Sequence, residues 1–175
     1  ACPNYHTGDS NPLETRFNIA CGGVLGYEMD MTKLSVEETE VITRQIEFYK
    51  EYRKVLQFGD FYRLGNAFGG NVSGFMSVSK DKGTAVAVVT VYEQIFGGPA
   101  PAVKFKGLDP SSVYEVKARE QAYYKKAPCF TAGGGFLMQG NVFLSDIYED
   151  TQRRENSGCL YSRMFLITKV KKEYS

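Results

Sequence analysis

The clearest hydrophobic pattern in the sequence is an apolar stripe between residues 35 and 57. Its members lie three or four positions apart, which places them on one face of a helix: Ile42, Ile46, Tyr49, Tyr52 and Leu56. Ser35 and Glu38 have the spacing of a capping box, which satisfies free backbone N–H groups at a helix start. Gly59 supplies a stop. The sequence therefore predicts a long helix over 35–57 that covers a core.

The segment before this helix predicts a shorter helix and a strand. Pro12 suits the first position of a helix over 13–20, and Gly22 and Gly23 end it. Residues 24–30 then predict a short strand. Helix, strand and helix with tight connections are typical of α/β barrels and doubly wound sheets. Because one strand cannot build a sheet, the sequence indicates the end of such a fold.

From Asp60 onward the hydrophobic period changes to two, which indicates strands. Residues 72–79 and 84–96 predict a hairpin with a loop at 80–83, and the β-branched run at 85–92 predicts a central strand. Further strands are expected at 103–106, 113–118 and 159–170. Strands at short spacing with no predicted helix between them favour an antiparallel β-sandwich. The expected fold class is α+β, with a domain boundary between 1–58 and 59–175.

Composition and charge exclude some classes of partner. The formal net charge of +1 over 175 residues gives no basic excess for nucleic acid or an acidic membrane surface. No apolar run approaches the roughly 20 residues of a membrane span. The first residues are polar, so we expect no secretory signal here and a cytoplasmic location.

The four cysteines, Cys2, Cys21, Cys129 and Cys159, have spacings that match no zinc pattern, and one histidine cannot complete a ligand set. Reduced thiols in a cytosolic protein are the expected state, whereas disulfides would require an oxidising compartment.

Two acidic residues are the best candidates for chemistry. Glu28 and Asp30 lie two apart on the predicted strand, so their side chains would point the same way. A carboxylate pair could serve glycosidic acid–base catalysis; the favoured alternative is a solvated or ion-paired pair at the rim of a sheet. His6, with Asn4 and Asp9 nearby, has no accompanying nucleophile motif. These residues alone do not define an active site.

Several longer motifs carry a resemblance to a known family. They are residues 3–8 (PNYHTG), 12–16 (PLETR), 25–30 (LGYEMD), 46–53 (IEFYKEYR), 57–64 (QFGDFYRL), 75–80 (FMSVSK), 106–110 (KGLDP) and, as a weaker echo, 135–140 (GFLMQG). This set resembles the C-terminal part of bacterial α-galactosidases of glycoside hydrolase family 36. The run at 46–64 is the most specific, and the likeness thins beyond Val116.

The resemblance implies a (β/α)8 barrel followed by a C-terminal antiparallel β domain. On that map, residues 1–4 are the tip of barrel strand seven, 13–20 its helix, 24–30 strand eight and 35–57 the last helix. The family uses a retaining mechanism with an aspartate nucleophile in a Lys-Trp-Asp motif and a second aspartate as acid/base. Neither motif occurs in this sequence. No metal or redox cofactor is implied.

Active sites of barrels lie at the C-terminal ends of the strands. Asn4, His6, Glu28 and Asp30 are therefore expected at the rim of the substrate pocket, with no catalytic residue among them.

The expected function is that of a fragment, inactive alone, of an enzyme that hydrolyses terminal α-galactosyl residues of raffinose-type oligosaccharides. Galactosides would be reached only through the missing barrel, and the parent is expected to be a homo-oligomer. The alternatives are a β-sandwich that binds carbohydrate by itself, or a natural short protein with this architecture. Without partner strands, residues 1–57 should either self-associate or pack the long helix onto the β domain.

Overall fold

The computed structural model describes residues 11–66, 68, 70–92, 102–121, 129–143 and 161–171. Its helices are α1 (Leu13–Ala20), α2 (Val36–Phe58) and α3 (Gly134–Gln139), with one 3-10 turn at Met31–Lys33. Its strands are β1 (Asp60–Gly65), β2 (Val72–Val78), β3 (Thr84–Val91), β4 (Ala102–Val103), β5 (Val113–Ala118), β6 (Cys129–Gly133), β7 (Val142–Phe143) and β8 (Tyr161–Lys169).

The long helix α2 has the predicted start and end. The Ser35 hydroxyl accepts a hydrogen bond from the Glu38 amide at 3.1 Å, and the Glu38 carboxylate accepts one from the Ser35 amide at 2.9 Å. The reciprocal bonds complete the capping box. At the other end, a Cβ on Gly59 would lie 2.6 Å from the Val78 carbonyl oxygen. Glycine therefore allows the chain to turn directly from α2 into β1.

The strands form one antiparallel six-stranded sheet in the order β1-β2-β3-β8-β5-β6, and β4 pairs with β7 in a separate ladder. The predicted central strand β3 does lie inside the sheet, between β2 and β8. Because side chains alternate along a strand, β3 contributes to a core on each face.

One face of the sheet carries the larger core, which we call the apolar cluster. The strands supply Ala87, Val89 and Ile167 among others, and Phe105, Leu108 and Leu137 cover them from the segment after β4 and from α3. Val103 and Phe105 are buried while Lys104 and Lys106 are exposed, but β4 ends at Val103, so the strand expected at 103–106 is wrong beyond that residue. The second layer of the β domain is thus built around the β4–β7 ladder and α3.

Helices α1 and α2 pack on the opposite face, where they form the helix-covered cluster. Its buried members come from both helices, the turn after α1 and two strands: Phe17, Cys21, Leu56, Val86, Val88 and Met164. Packing of the long helix onto the β domain is therefore one of the two outcomes that the sequence predicted; self-association stays a prediction.

Two further parts of the chain need comment against the sequence-based expectation: residues 24–30 and α3. Residues 24–30 form no ladder with the described residues, and residues 1–4, the neighbouring strand expected in a barrel, lie outside the described residues, so the strand at 24–30 stays a prediction. An extended segment is a strand only when another backbone accepts and donates its hydrogen bonds. Helix α3 was not expected because its first residues are glycines; a Cβ at Gly134 would lie 2.1 Å from the Asp109 carbonyl oxygen. The close approach of the Asp109 backbone explains why position 134 is a glycine.

Candidate functional site

The candidate rim consists of residues 24–30, which we call the rim segment, between α1 and the 3-10 turn. Burial alternates along it: Leu25, Tyr27 and Met29 are half-buried, whereas Glu28 and Asp30 are exposed. The period of two predicted from the sequence is therefore retained. Asn4 and His6, the other two predicted rim residues, lie outside the described residues.

Helix α2 holds the start of the rim segment through one tyrosine. The Tyr49 hydroxyl accepts a hydrogen bond from the Leu25 amide at 3.3 Å and donates to the Gly23 carbonyl oxygen at 3.2 Å. The Gln57 side chain donates to the same hydroxyl at 2.7 Å. A side chain of α2 thus provides a hydrogen-bond partner for two backbone groups at the start of the segment.

Asp30 has a local structural role. Its Oδ1 accepts hydrogen bonds from the Thr32 amide at 3.1 Å and the Thr32 hydroxyl at 2.6 Å, and Lys33 Nζ lies 3.3 Å from Oδ2. The Thr32 hydrogen bonds, assisted by Lys33, lower the pKa of Asp30 below its ordinary value. An ionised carboxylate that starts the 3-10 turn is suited to shaping the rim and not to donating a proton.

A buried polar network connects the rim segment to the sheet. The Tyr27 hydroxyl donates to Gln45 Oε1 at 2.8 Å, and Gln45 Nε2 donates to Glu14 Oε2 at 2.9 Å. The same carboxylate oxygen is paired with Arg119 Nη2, just after β5. Burial is the main cause that raises the pKa of Tyr27, so its hydroxyl keeps the proton that it donates to Gln45.

Arg119 is also packed between aromatic rings. Its guanidinium carbon lies 4.8 Å from the ring centroid of Phe17 and 5.7 Å from that of Phe48. Stacked guanidinium groups are attracted to ring faces and are weakly hydrated, so such a site favours arginine over lysine. A second polar contact, from Asn18 Nδ2 to the Ser162 hydroxyl at 2.8 Å, ties α1 to β8.

Reasoning from the sequence missed this network. Hydrophobic periodicity treats Glu14, Gln45 and Arg119 as surface positions, yet Glu14 is 4% exposed and Gln45 is fully buried. Their partners are far apart along the chain, so spacing carries no signal. The only available hint was that Glu14 lies within the family-like motif at 12–16.

The structure also bears on the cysteines, on metal binding and on membrane spans. Cys21 is a buried free thiol and Cys129 an exposed one, whereas Cys2 and Cys159 lie outside the described residues. Across the described ranges, no three His, Cys, Asp or Glu side chains are grouped so as to hold a metal ion. No helix in the same ranges is both long and apolar enough to cross a membrane.

Comparison with known families matches both parts of the chain. Residues 1–59 match the Melibiase model, and residues 72–164 match the model of the glycosyl hydrolase family 36 C-terminal domain. The alpha-galactosidase AgaA of Geobacillus stearothermophilus is 38% identical over 117 residues, which are 67% of this chain and 16% of that protein.

Solved structures of alpha-galactosidases also match this chain. The crystal structure of the alpha-galactosidase from Lactobacillus brevis has a TM-score of 0.83 and 31% identity, and the match covers 99% of this chain and 22% of that one. An AgaA variant in complex with raffinose has a TM-score of 0.78 and 32% identity, with 97% and 21% covered.

This chain therefore spans about a fifth of the length of these relatives. The predicted α+β fold, with helices and an antiparallel β domain, is confirmed, as is the resemblance drawn from the sequence motifs. Because the C-terminal domain model alone matches more than half of the residues, the chain belongs to glycosyl hydrolase family 36.

Proposed function

We propose that this chain acts as the C-terminal part of a family 36 α-galactosidase, where it supplies the last barrel helix, the pocket rim and the β domain, and carries neither catalytic aspartate. The observation that carries the proposal is the succession of two matches, Melibiase over 1–59 and the family 36 C-terminal domain over 72–164. The domain division at residue 58 is part of the same proposal.

The geometry of the rim segment favours a structural role for this chain over a catalytic one. A retaining glycosidase needs two carboxyl groups about 5 Å apart on either side of the bond that is cleaved. Asp30 is held by Thr32 and Lys33 at the start of the 3-10 turn. Glu28 is exposed as well. We therefore propose that these two residues shape the pocket and leave the chemistry to other parts of the longer enzyme.

The proposed substrate class is oligosaccharides with a terminal α-galactosyl residue. The solved structure of the AgaA variant contains raffinose, a sugar of this class. Galactosides would meet this chain only at the rim of the assembled barrel. Assembly of the longer enzyme into a homo-oligomer and a cytoplasmic location belong to the same proposal.

A segment exchange tests the proposal. The C-terminal region of AgaA that matches this chain is replaced by residues 1–175, and release of p-nitrophenol from p-nitrophenyl α-galactoside is measured. We expect activity from the exchanged protein and none from AgaA truncated before that region or from this chain alone. A folded exchanged protein without activity would contradict the proposal, as would activity of the chain alone that is lost in Glu28→Gln or Asp30→Asn.

A carbohydrate-binding β module is the second candidate. One observation favours it: the Phe61 and Phe75 rings are stacked with centroids 5.7 Å apart, and Phe61 is 54% exposed, so an apolar ring face is available to a sugar. Calorimetric titration of the chain with galactose and raffinose separates the two functions. Heat of binding that disappears in Phe61→Ala supports the module, whereas the first proposal requires no binding.

A further inference from the structure

We propose that Arg119 is a positioning residue for the rim segment, and that it acts through Glu14, Gln45 and Tyr27. The importance of the rim for galactoside binding rests on the proposed function. The effect of Arg119 on the rim segment does not rest on the proposed function, because it is a property of this chain and can be measured on it.

The four side chains form an ordered relay between the sheet and the rim segment. Gln45 uses both ends of its amide: Nε2 donates to Glu14 and Oε1 accepts from Tyr27. The two neighbours therefore fix which way the amide is turned, since only one orientation satisfies both. A charged or apolar side chain at position 45 would break one or both contacts.

The far end of the relay is anchored to the β domain. The Arg119 amide donates to the Met164 carbonyl oxygen on β8 at 2.8 Å. The Arg119 side chain is 10% exposed and lies against the Phe17 and Phe48 rings, and it pairs with the buried Glu14. Ion pairs with this little solvent have few alternative arrangements, because each charge would otherwise lose its partner in a dry environment.

The near end of the relay is the rim segment itself, which two side chains of α2 contact: Gln45 and Tyr49. Tyr49 holds the backbone around Gly23 and Leu25. Tyr27 is bonded through its hydroxyl to Gln45, one helical turn before Tyr49. Tyr27 immediately precedes Glu28, so movement of its ring would move the predicted pocket rim.

Backbone ¹⁵N relaxation of the whole chain tests this inference. In this chain without substitutions we expect order parameters of about 0.85 at residues 24–30, as in a rigid backbone. We expect values below about 0.6 in Tyr27→Phe, Gln45→Met and Arg119→Met. Order parameters of β3 should not change. If the relay is continuous, Tyr27→Phe combined with Arg119→Met loosens the segment no more than either change alone.

Controls separate positioning from general stability. Tyr92→Phe removes another partly exposed hydroxyl, which contacts Ser73 and none of the four relay residues, and should leave residues 24–30 rigid. If Arg119→Met does not fold, the neutral pair Glu14→Gln with Arg119→Met takes its place. If the order parameters at residues 24–30 stay high in Arg119→Met, the inference is overturned, whatever happens to the free energy of unfolding. Failure of the segment exchange in AgaA would instead count against the proposed function and leave the relaxation result standing.

Discussion

The two faces of the six-stranded sheet are filled in different ways. On one face, the apolar cluster joins strand residues such as Val89 and Ile167 to Phe105, Leu108 and Leu137 from the covering layer. On the other face, α1 and α2 bring a smaller apolar cluster together with buried polar groups. The Glu14–Arg119 and Asn18–Ser162 contacts join residues 105 and 144 positions apart in sequence.

This difference shows two ways of fixing one layer on another. Apolar contacts stabilise by area and tolerate many partners, because the hydrophobic effect has no direction. Buried polar contacts work only when each donor meets its acceptor, and they are costly when one partner is missing. We infer that the apolar cluster supplies most of the stability of the β domain, while the polar network sets where the helices lie on it.

The largest effect is expected from breaking the buried ion pair on the helix-covered face. Arg119→Met leaves the Glu14 carboxylate buried without its charged partner. Loss of one member of a buried pair costs about 3–5 kcal/mol, so urea unfolding should show a fall of this size in the free energy of unfolding.

The matched control removes both charges. Glu14→Gln combined with Arg119→Met leaves no buried unpaired charge, and an uncharged replacement of a buried pair is often neutral. We expect it to recover most of the lost stability. A double variant as unstable as Arg119→Met would show that packing of the arginine against the aromatic rings, and not its charge, holds the helices in place.

A somewhat smaller effect is expected from opening the apolar cluster. Ile167 on β8 is fully buried, and Ile167→Ala should lower the free energy of unfolding by about 2–5 kcal/mol through lost burial and the cavity left behind. Thr168→Ala, at the exposed next position on the same strand, should change it by less than about 0.5 kcal/mol. Similar losses from both substitutions would argue against a core on this face.

The comparison also explains which parts of the structure could be predicted from the sequence. The start of α2 at Ser35, its end at Gly59 and the central position of β3 depend on local spacing and turn chemistry, so the sequence indicated them. The strand at 24–30 stays a prediction, because a strand requires a neighbour, which alternation cannot reveal. Glu14 and Arg119 were missed because their contact depends on the completed tertiary structure.

In the candidate site, too, local features could be predicted from the sequence and long-range contacts could not. Exposure of both Glu28 and Asp30 follows from the period of two, and both residues are exposed in the structure. The contact of Asp30 with Thr32 is local, yet the 3-10 turn that it starts was not predicted, because three residues carry no periodic signal. Gln45 interrupts the apolar stripe of α2 as a buried amide, which only its partners Glu14 and Tyr27 explain.

The smallest expected effect is a pH dependence that belongs to the helix-covered face. Burial raises the pKa of the Cys21 thiol from an ordinary value near 9 to about 12, although Arg119 acts in the opposite direction. The folded chain therefore holds this proton more tightly than the unfolded chain. The contribution to stability is complete below about pH 9 and is lost as the pH rises towards 12, by at most about 1.4 kcal/mol per pH unit.

Urea unfolding between about pH 8 and about pH 10.5 measures this dependence. Cys21→Ala should flatten the decline in the free energy of unfolding, although Tyr27, whose pKa burial also raises, keeps part of it. Cys129→Ala removes an exposed thiol and should leave the decline unchanged. If Cys21→Ala and the parent chain decline equally, the thiol is not sealed beneath the helices. Water would then reach this face of the sheet, and the contrast between the two faces would be smaller than their packing indicates.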